Sequence, residues 1–311
     1  MPKKEAYFLM NRLLCSIISL SCSAMVLLCG CGSSQSSVSN TEPSAAASAS
    51  ASASGAVKPS VAESSDTPET KGSEATSTTG GKENALLAEN FSTENGYIIY
   101  NENGQRASAT GIDISSYSGE VDWNRVKNAG IEFVMVRLGG RGYGAEGSLY
   151  SDNKAAEYIS GAQAAGIKTG GYFFSQAVTD DEAREEAEYC QQLLGGLKLD
   201  FPLAYDWEII KEDEARTDNL SVEQATSCAL AFCAKAKELG FTPLLYASDA
   251  EFSAKYDMNR LSDCDIWYCE YADTPHFPYR FSMWQYSKTA NVDGIEGNVD
   301  LDICFKNIAE Y

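Results

Sequence analysis

The feature that most constrains the fold is an alternation between short apolar runs and helical segments over residues 110–311. Runs typical of strands cover residues 111–115, 131–138, 168–174, 201–208, 241–246, 265–271 and 281–286. Helical segments separate most of the earlier runs, whereas the chain after residue 265 has the pattern of successive strands and loops. Apolar strands that alternate with helices are typical of a parallel sheet covered by helices. The order predicts an α/β barrel that starts as β/α units and ends in plain strands.

Two of the helical segments begin at recognisable capping motifs. Thr179 with Glu182, and Ser221 with Gln224, each match a capping box, in which side chains satisfy the first free amides of a helix. Apolar residues follow at helical spacing, and glycines end both stripes. We interpret both stripes as core packing.

The run at residues 199–210 ends in two acids, Asp206 and Glu208, on either side of a tryptophan. Side chains two apart on a strand point to the same face, so these acids are expected to share one space. Two carboxylates a few ångströms apart cannot both ionise freely, so one should have a raised pKa. A proton donor beside an anion is what cleavage of a glycosidic bond requires. The alternative is a pair of solvated acids at a strand end.

The first 30 residues have the composition of an export signal. Basic residues precede an apolar run at residues 13–28, which is too short and too polar for a membrane span and ends in small residues. Residues 28–31 resemble the lipobox of bacterial lipoproteins. The resemblance implies cleavage before Cys31 and a lipid on its sulfur, which would hold the protein at the outer face of the bacterial cell membrane. A signal anchor that crosses the membrane once is the alternative.

Three further regions follow the export signal. Residues 31–83 are rich in Ser, Ala and Thr and have almost no large apolar side chain, which predicts a disordered tether. Residues 84–109 form a short pre-domain segment, in which residues 96–104 have the pattern of a small hairpin. Residues 110–311 have the size of one domain.

Two more acids, Asp113 and Asp300, fall in the first and last predicted strands. In barrels of this kind the chemistry gathers at the C-terminal ends of the strands. The motifs around the acids occur in a fixed order along the chain: Gly111-Ile112-Asp113-Ile114-Ser115, Val121-Asp122-Trp123 with Val126, Phe133 to Arg137, Gly171-Tyr172-Phe173-Phe174, Asp206-Trp207-Glu208, Trp284-Gln285-Tyr286 and Val299-Asp300-Leu301.

This ordered set resembles glycoside hydrolase family 25, the lysozyme-like muramidases, over residues 110–305. Each motif alone is weak, but their order is specific. The resemblance implies a flattened TIM-like barrel of about five β/α units followed by three plain β-strands. It also implies hydrolysis of the β-1,4 bond between N-acetylmuramic acid and N-acetylglucosamine in peptidoglycan, in wall turnover or lysis.

The resemblance also implies roles for four acids. Glu208 would protonate the leaving oxygen, with its pKa raised by the charge of Asp206 and by burial against aromatic neighbours. Asp300 would be the second carboxylate, which activates water, attacks as nucleophile or stabilises the transition state. If the sugar's own acetamido oxygen attacks instead, Asp206 would orient it. Asp113 would position the sugar; its alternative is an acid that binds loop amides.

Aromatic residues near the predicted strand ends are candidates for a groove that stacks on pyranose rings, and core packing is the alternative for each. The substrate-binding candidates are Tyr172, Phe174, Tyr246, Trp267, Tyr271, Trp284 and Tyr286, together with Arg137. Trp284 and Tyr246 are the favoured two. The chain departs from the family at two positions near the site: Phe173 stands where the family often has His, and Asp302 stands where it often has Asn.

The residue inventory excludes several other classes of protein. The single histidine, His276, has no acid or cysteine pattern beside it, which argues against a histidine-based triad and a His-ligated zinc site. We therefore expect no metal and no cofactor. A net charge of −20 excludes simple nucleic-acid binding. The six cysteines after residue 31 are compatible with disulfides or with free thiols.

The expected partners are peptidoglycan strands and, through the lipid, the membrane, and the protein is expected to be a monomer. Two other functions remain open at this point. One is a non-catalytic surface lipoprotein that binds peptidoglycan. The other is a chitinase-like enzyme, although the longer acidic motif of that family is absent before Glu208.

Overall fold

The computed structural model describes residues 82–211 and 213–307. The predicted export signal, the lipid on Cys31 and nearly all of the predicted tether lie outside the described residues. Twelve strands are β1 (Phe91–Glu94), β2 (Tyr97–Glu102), β3 (Gln105–Arg106), β4 (Ala109–Ile114), β5 (Phe133–Arg141), β6 (Leu149–Ser151), β7 (Lys168–Ser175), β8 (Leu203–Trp207), β9 (Pro243–Ser248), β10 (Ile266–Cys269), β11 (Met283–Ala290) and β12 (Val299–Cys304). Five α-helices are α1 (Trp123–Asn128), α2 (Ala155–Ala164), α3 (Asp180–Leu194), α4 (Val222–Glu238) and α5 (Asp249–Lys255).

The larger sheet closes into a barrel of eight strands. Its order is β4, β12, β11, β10, β9, β8, β7, β5, and β4 also pairs with β5, which completes the ring. Strand β12 is antiparallel to both of its neighbours, and the other pairs around the ring are parallel. Strand β6 pairs only with the end of β5.

The predicted architecture is confirmed. One α-helix follows each of the first five barrel strands, with β6 inserted before α2, and β10, β11 and β12 have no helix after them in the described part of the chain. Thr179 and Ser221 cap α3 and α4 by accepting from the amides of Glu182 and Gln224. Residues 139–141 extend β5 and pair with β6.

An apolar cluster fills the inside of the barrel. It contains Phe133, Met135, Leu244, Trp267 and Met283 among others, and Tyr172 and Tyr246 pack against it. A Cβ on Gly111 would overlap the Phe133 ring, so only glycine fits there. A larger cluster packs the outside of the strands against the helices. The barrel is therefore a packed core, and chemistry is confined to its rim.

A three-stranded antiparallel sheet, β1 to β3, precedes the barrel. Its two turns contain Asn95-Gly96 and Asn103-Gly104, all four with positive φ. The ring of Phe91, on β1, lies 5.9 Å from the Trp284 ring and 5.8 Å from the Phe305 ring, measured between centroids. The sheet therefore covers plain strands of the barrel that have no helix over them.

The six cysteines between residues 190 and 304 are all free thiols. The thiols of Cys233, on α4, and Cys264, before β10, are in hydrogen-bond contact. Within the described residues, none of the helices has the length and apolar composition needed to cross a membrane.

Candidate active site

The four acids named from the sequence lie at one end of the barrel. Asp113 is next to last in β4, Asp206 is next to last in β8, and Glu208 directly follows that strand. Asp300 lies at the start of β12 and is in register with Asp113. Because β12 runs opposite to its neighbours, its start lies at the same rim as the C-terminal ends of the parallel strands. The barrel therefore brings together acids that are distant in sequence.

Asp113 and Asp300 lie across the barrel mouth from Asp206. Strand β12 is four strands from β8 in either direction around the ring. The charges of Asp113, Asp206 and Asp300 all act on the buried hydroxyl of Tyr172. The barrel mouth therefore has carboxyl groups on two opposite sides.

Asp206 and Glu208 have carboxyl groups in hydrogen-bond contact but very different surroundings. Asp206 is only 4% exposed, and burial, followed by the charge of Glu208, raises its pKa well above the ordinary value. Glu208 is exposed. The expectation that Glu208 is buried against aromatic rings is therefore wrong, because β8 ends at Trp207 and Glu208 lies beyond it. The raised pKa predicted for one member of the pair is found at Asp206.

Gln285 connects the acids to the aromatic residues of the rim. Its Nε2 donates to Asp113 Oδ2 at 2.7 Å. Its Oε1 accepts from the hydroxyl of Tyr246 at 2.9 Å, the thiol of Cys269 at 3.1 Å and the hydroxyl of Tyr271 at 3.3 Å. Gln285 thus fixes one oxygen of Asp113 relative to groups from β9, β10 and the loop after β10.

Trp284 and Tyr286, the residues on either side of Gln285, point away from the site. Trp284 is fully buried and its Nε1 donates to the carbonyl oxygen of Glu270 at 2.8 Å. The hydroxyl of Tyr286 accepts from the amide of Ile98 in the N-terminal sheet at 3.3 Å. This corrects the expectation that both line the groove. Successive side chains alternate across a strand, so an inward Gln285 places both neighbours outside.

Three of the remaining aromatic candidates form a floor beneath the acids. The ring of Trp267 lies 4.6 Å from that of Tyr246 and 6.1 Å from that of Tyr172, between centroids. Trp267 is 2% exposed and its Nε1 donates to Asp302 Oδ1 at 2.8 Å. Trp267 therefore has no free face for a sugar, which corrects its proposed stacking role.

Two aromatic candidates are accessible at the rim. Tyr271 is 50% exposed, and the Lys288 ammonium lies 5.1 Å from its ring centroid. Phe174 is half-buried and is in register with Asp206. Both positions are compatible with contact to a bound sugar, since each is beside an acid or its hydrogen-bond network.

Arg137 lies at the rim beside Asp206, and its charge lowers the pKa of that acid against the larger effects of burial and like charge. Its Nη2 is 2.8 Å from Asp152 Oδ2, and the guanidinium lies 4.9 Å from the ring centroid of Tyr117. Asp152 also accepts from the amide of Ser116 at 3.0 Å. The arginine is therefore fixed by a buried carboxylate and is oriented toward the acids.

Several rim residues were not identified from the sequence: Gln285, Asp152, Tyr117 and Tyr150. Burial raises the pKa of Tyr150 to about 12, and the charge of Asp206 adds to this shift, so the two side chains are close. Tyr150 and Asp152 belong to β6 and the turn after it, a strand too short to be recognised by its pattern. Gln285 lies in the Trp284-Gln285-Tyr286 motif, but both faces of that strand are buried, so the sequence carried no signal that placed it inside.

No group of three or more His, Cys, Asp or Glu side chains in the described part of the chain has the arrangement of a metal site. The groups at the rim are carboxyl groups, tyrosine hydroxyls, the Gln285 amide, the Cys269 thiol and the Arg137 guanidinium. Carboxyl groups with different burial at one rim provide both a proton donor and an anion.

The chain is similar to known lysozymes. The family model described as "Glycosyl hydrolases family 25" matches residues 112–295. The "Autolytic lysozyme" of Clostridium acetobutylicum is 30% identical over 193 residues, which are 62% of this chain and 54% of that protein. "Lysozyme M1" of Streptomyces globisporus is 26% identical over 200 residues, covering 61% of this chain and 65% of that protein. The chain thus spans less than two thirds of the length of either relative.

Solved structures share the fold. The modular autolysin LytC from Streptococcus pneumoniae superposes with a TM-score of 0.56 and 22% identity, over 68% of this chain and 51% of that chain. A family 25 glycosyl hydrolase from Bacillus anthracis gives a TM-score of 0.54 and 21% identity, over 64% of this chain and 89% of that chain. The match at residues 112–295 covers more than half of the 311 residues, so this chain belongs to glycoside hydrolase family 25.

Proposed function

We propose that the protein is a peptidoglycan hydrolase that cleaves the β-1,4 bond between N-acetylmuramic acid and N-acetylglucosamine. The observation that carries the proposal is the meeting of Asp113, Asp206, Glu208 and Asp300 at one rim of a family 25 barrel. Both relatives are lysozymes by name, and the structural relative from Streptococcus pneumoniae was solved with a synthetic peptidoglycan ligand. Wall turnover or lysis is the process that this activity would serve.

In this proposal Glu208 is the proton donor. Its carboxyl group is exposed at the rim, where a glycosidic oxygen can reach it, and it is in contact with Asp206. Asp206 is held in the barrel wall, so it keeps the donor in place, and the hydrogen bond between the two carboxyl groups requires one proton that the pair shares. Glu208 therefore combines access to solvent with a buried acidic partner.

Asp300 and Asp113 provide the opposite side of the site. Asp113 is fixed by Gln285, whereas Asp300 is partly exposed on the neighbouring strand. An accessible carboxylate across the mouth from the donor fits the second carboxylate of a glycosidase, as nucleophile, as base for water or as stabiliser of the positive charge that develops on the sugar. Tyr271, exposed and beside this pair's hydrogen-bond network, is positioned to contact the sugar.

The test is release of dye from labelled, purified peptidoglycan by the wild-type protein and by Glu208→Gln. Loss of a general acid lowers rates by about 10²- to 10⁴-fold, and we expect a loss of this size. Glu223→Gln, the same change at an exposed position on α4, is the matched control and should retain full activity. New reducing ends should lie on muramic acid. Equal release by wild type and Glu208→Gln would reject Glu208 as the donor.

The non-catalytic alternative has its own outcome in this assay. If the wild-type protein co-sediments with peptidoglycan but releases no soluble product, it is a wall-binding protein and not a hydrolase. The partly exposed Asp300 and the exposed Glu208 favour catalysis, because neither is closed off inside the barrel.

We also infer that the protein acts as a monomer anchored by a lipid on Cys31, at the outer face of the cell membrane. The Leu-Cys-Gly-Cys sequence at residues 28–31 supports the anchor, and a site built from one chain supports the monomer. Expressed in a bacterium, the full chain should partition into the detergent phase of a Triton X-114 extract, and Cys31→Ala should not enter it as a lipidated species. A wild-type protein of unmodified mass at Cys31 would contradict the anchor.

A further inference from the structure

Asp302 lies inside the barrel directly below the Asp113–Asp300 pair. It is two residues from Asp300 on β12, so both side chains face inward. It is in register with Gly111, so it lies diagonally opposite Asp113 on the neighbouring strand. Asp302 is fully buried and Asp113 is 8% exposed. Three carboxyl groups therefore occupy one corner of the rim.

In this corner not every carboxyl oxygen accepts a hydrogen bond from an N–H or hydroxyl group. Asp302 Oδ1 accepts from Trp267 Nε1, and Asp113 Oδ2 accepts from Gln285 Nε2. Asp302 Oδ2 is buried, and no N–H or hydroxyl group in the described part of the chain donates to it. The carboxyl groups of Asp302 and Asp113 are themselves in hydrogen-bond contact. Two ionised carboxylates are acceptors only, so this contact requires a proton between them.

The surrounding charges favour retention of that proton. The ionisable groups that face the pair from neighbouring elements are Asp300, Asp206, Tyr172, Tyr246, Cys269 and Tyr271. All of them are neutral or negative. The nearby cation, Arg137 on β5, is paired with Asp152. The charge of Asp302 also acts across β11 on the hydroxyl of Tyr286, which points away from the site. Burial, followed by the charge of Asp300, raises the pKa of Asp113, and burial is also the main cause of the raised pKa of Asp302.

We propose that Asp302 is a positioning residue whose carboxyl group shares one proton with Asp113, and that this proton fixes Asp113 next to Asp300. The effect of Asp302 on catalysis rests on the proposed hydrolysis of peptidoglycan. Without the proton, three like charges would meet in a corner whose nearby cation, Arg137, is already paired with Asp152, and Asp113 would be repelled from its place. With the proton, one negative charge is spread over the Asp113–Asp302 pair and Asp300 retains its own. Gln285 and Asp302 then hold Asp113 by one oxygen each.

The proton itself can be observed without any assay of activity. In protein labelled with ¹³C at the aspartate Cγ, one pair of signals should have, at pH 7, the chemical shift of carboxyl groups that share a proton. The two signals should move together as the pH is raised. Asp302→Asn should abolish that coupled titration. If all aspartate Cγ signals in the wild type have the shift of free carboxylates at pH 7, the proposal is rejected, whether or not the protein cleaves peptidoglycan.

The consequence for turnover is tested by two substitutions. An asparagine at 302 can still donate to Asp113 and accept from Trp267, so Asp302→Asn should keep kcat/KM within about threefold of wild type. Asp302→Ala removes both bonds, and loss of a hydrogen bond to a charged group predicts a fall of about 10- to 100-fold. If kcat/KM is kept in Asp302→Asn and lost in Asp302→Ala, residue 302 acts by donating a hydrogen bond to Asp113.

Two outcomes separate the possible failures. If Asp302→Asn folds with an unchanged melting temperature but is inactive, an ionised Asp302 is required and the shared proton is rejected. If the wild type releases nothing from peptidoglycan, the proposed hydrolysis fails, and the ¹³C titration still decides whether the pair shares a proton. Should Asp302→Ala not fold, the comparison between wild type and Asp302→Asn remains decisive.

Discussion

At the scale of residues, a single amide organises the rim. Gln285 donates to one acid and accepts from two tyrosine hydroxyls and a thiol, and it is 3% exposed. A side chain that satisfies four partners in a buried place is costly to replace, because each partner would be left without its bond. Gln285 therefore contributes geometry to the site without touching the scissile bond.

This role predicts the effect of Gln285→Glu. A glutamate has the same shape and keeps an acceptor for Tyr246, but when ionised it cannot donate to Asp113 and adds a like charge beside it. We expect kcat/KM on soluble glycan fragments to fall by about 10- to 100-fold, the value of a lost hydrogen bond to a charged group. Gln191→Glu, an exposed position on α3, is the control. Equal kcat/KM for the two variants would show that Asp113 does not depend on Gln285.

At the scale of elements, the N-terminal sheet takes the place of a missing helix layer. Helices cover the outside of the first five barrel strands, but β10, β11 and β12 are plain strands, and side chains such as Trp284 would face water there. Phe91 and Tyr100 of the sheet pack edge-on against Phe305. The family match begins at residue 112, so this cover lies outside the matched region. The small sheet is thus a structural part of the same folded unit.

Substitution of one aromatic ring should show how much the packing of the N-terminal sheet stabilises the protein. Phe91 is half-buried and contacts three aromatic rings, so Phe91→Ala should lower the free energy of unfolding by about 2–3 kcal/mol, less than a fully buried phenylalanine. Leu87→Ala, at a side chain 52% exposed, should change it by under about 0.5 kcal/mol. Urea denaturation gives both values. If the two variants are equally stable, the sheet does not unfold with the barrel.

At the scale of the whole molecule, closure of the barrel creates the site. No two of the acids at Asp113, Asp206 and Asp300 lie on one strand, and each is placed by the register of its own strand with its neighbours. The apolar cluster inside the barrel blocks the passage below them. The acids therefore meet in a shallow rim over a packed interior, where burial differs sharply between groups a few residues apart.

The sequence by itself determined the class of fold and the starts of two of its helices. Apolar strands of about the same length, separated by capped helices, have few ways to bury their faces other than a parallel barrel, and Thr179 and Ser221 marked two helix starts through local chemistry. Asp113, Asp206 and Glu208 could likewise be assigned to one rim, because parallel strands all end on the same side. Asp300 reaches that rim because β12 runs antiparallel to its neighbours.

Tertiary structure alone decided which side chains enter the site. Trp284, Gln285 and Tyr286 alternate on a strand whose two faces are both buried, one by the barrel interior and one by the N-terminal sheet, so composition could not identify the inner face. The end of β8 at Trp207 left Glu208 exposed, and the pairing of β12 with β4 placed Asp302 diagonally opposite Asp113. Side chains alternate along a strand, so a strand has two faces, either of which could lie inside the barrel. The residues that cover each face decide which one does.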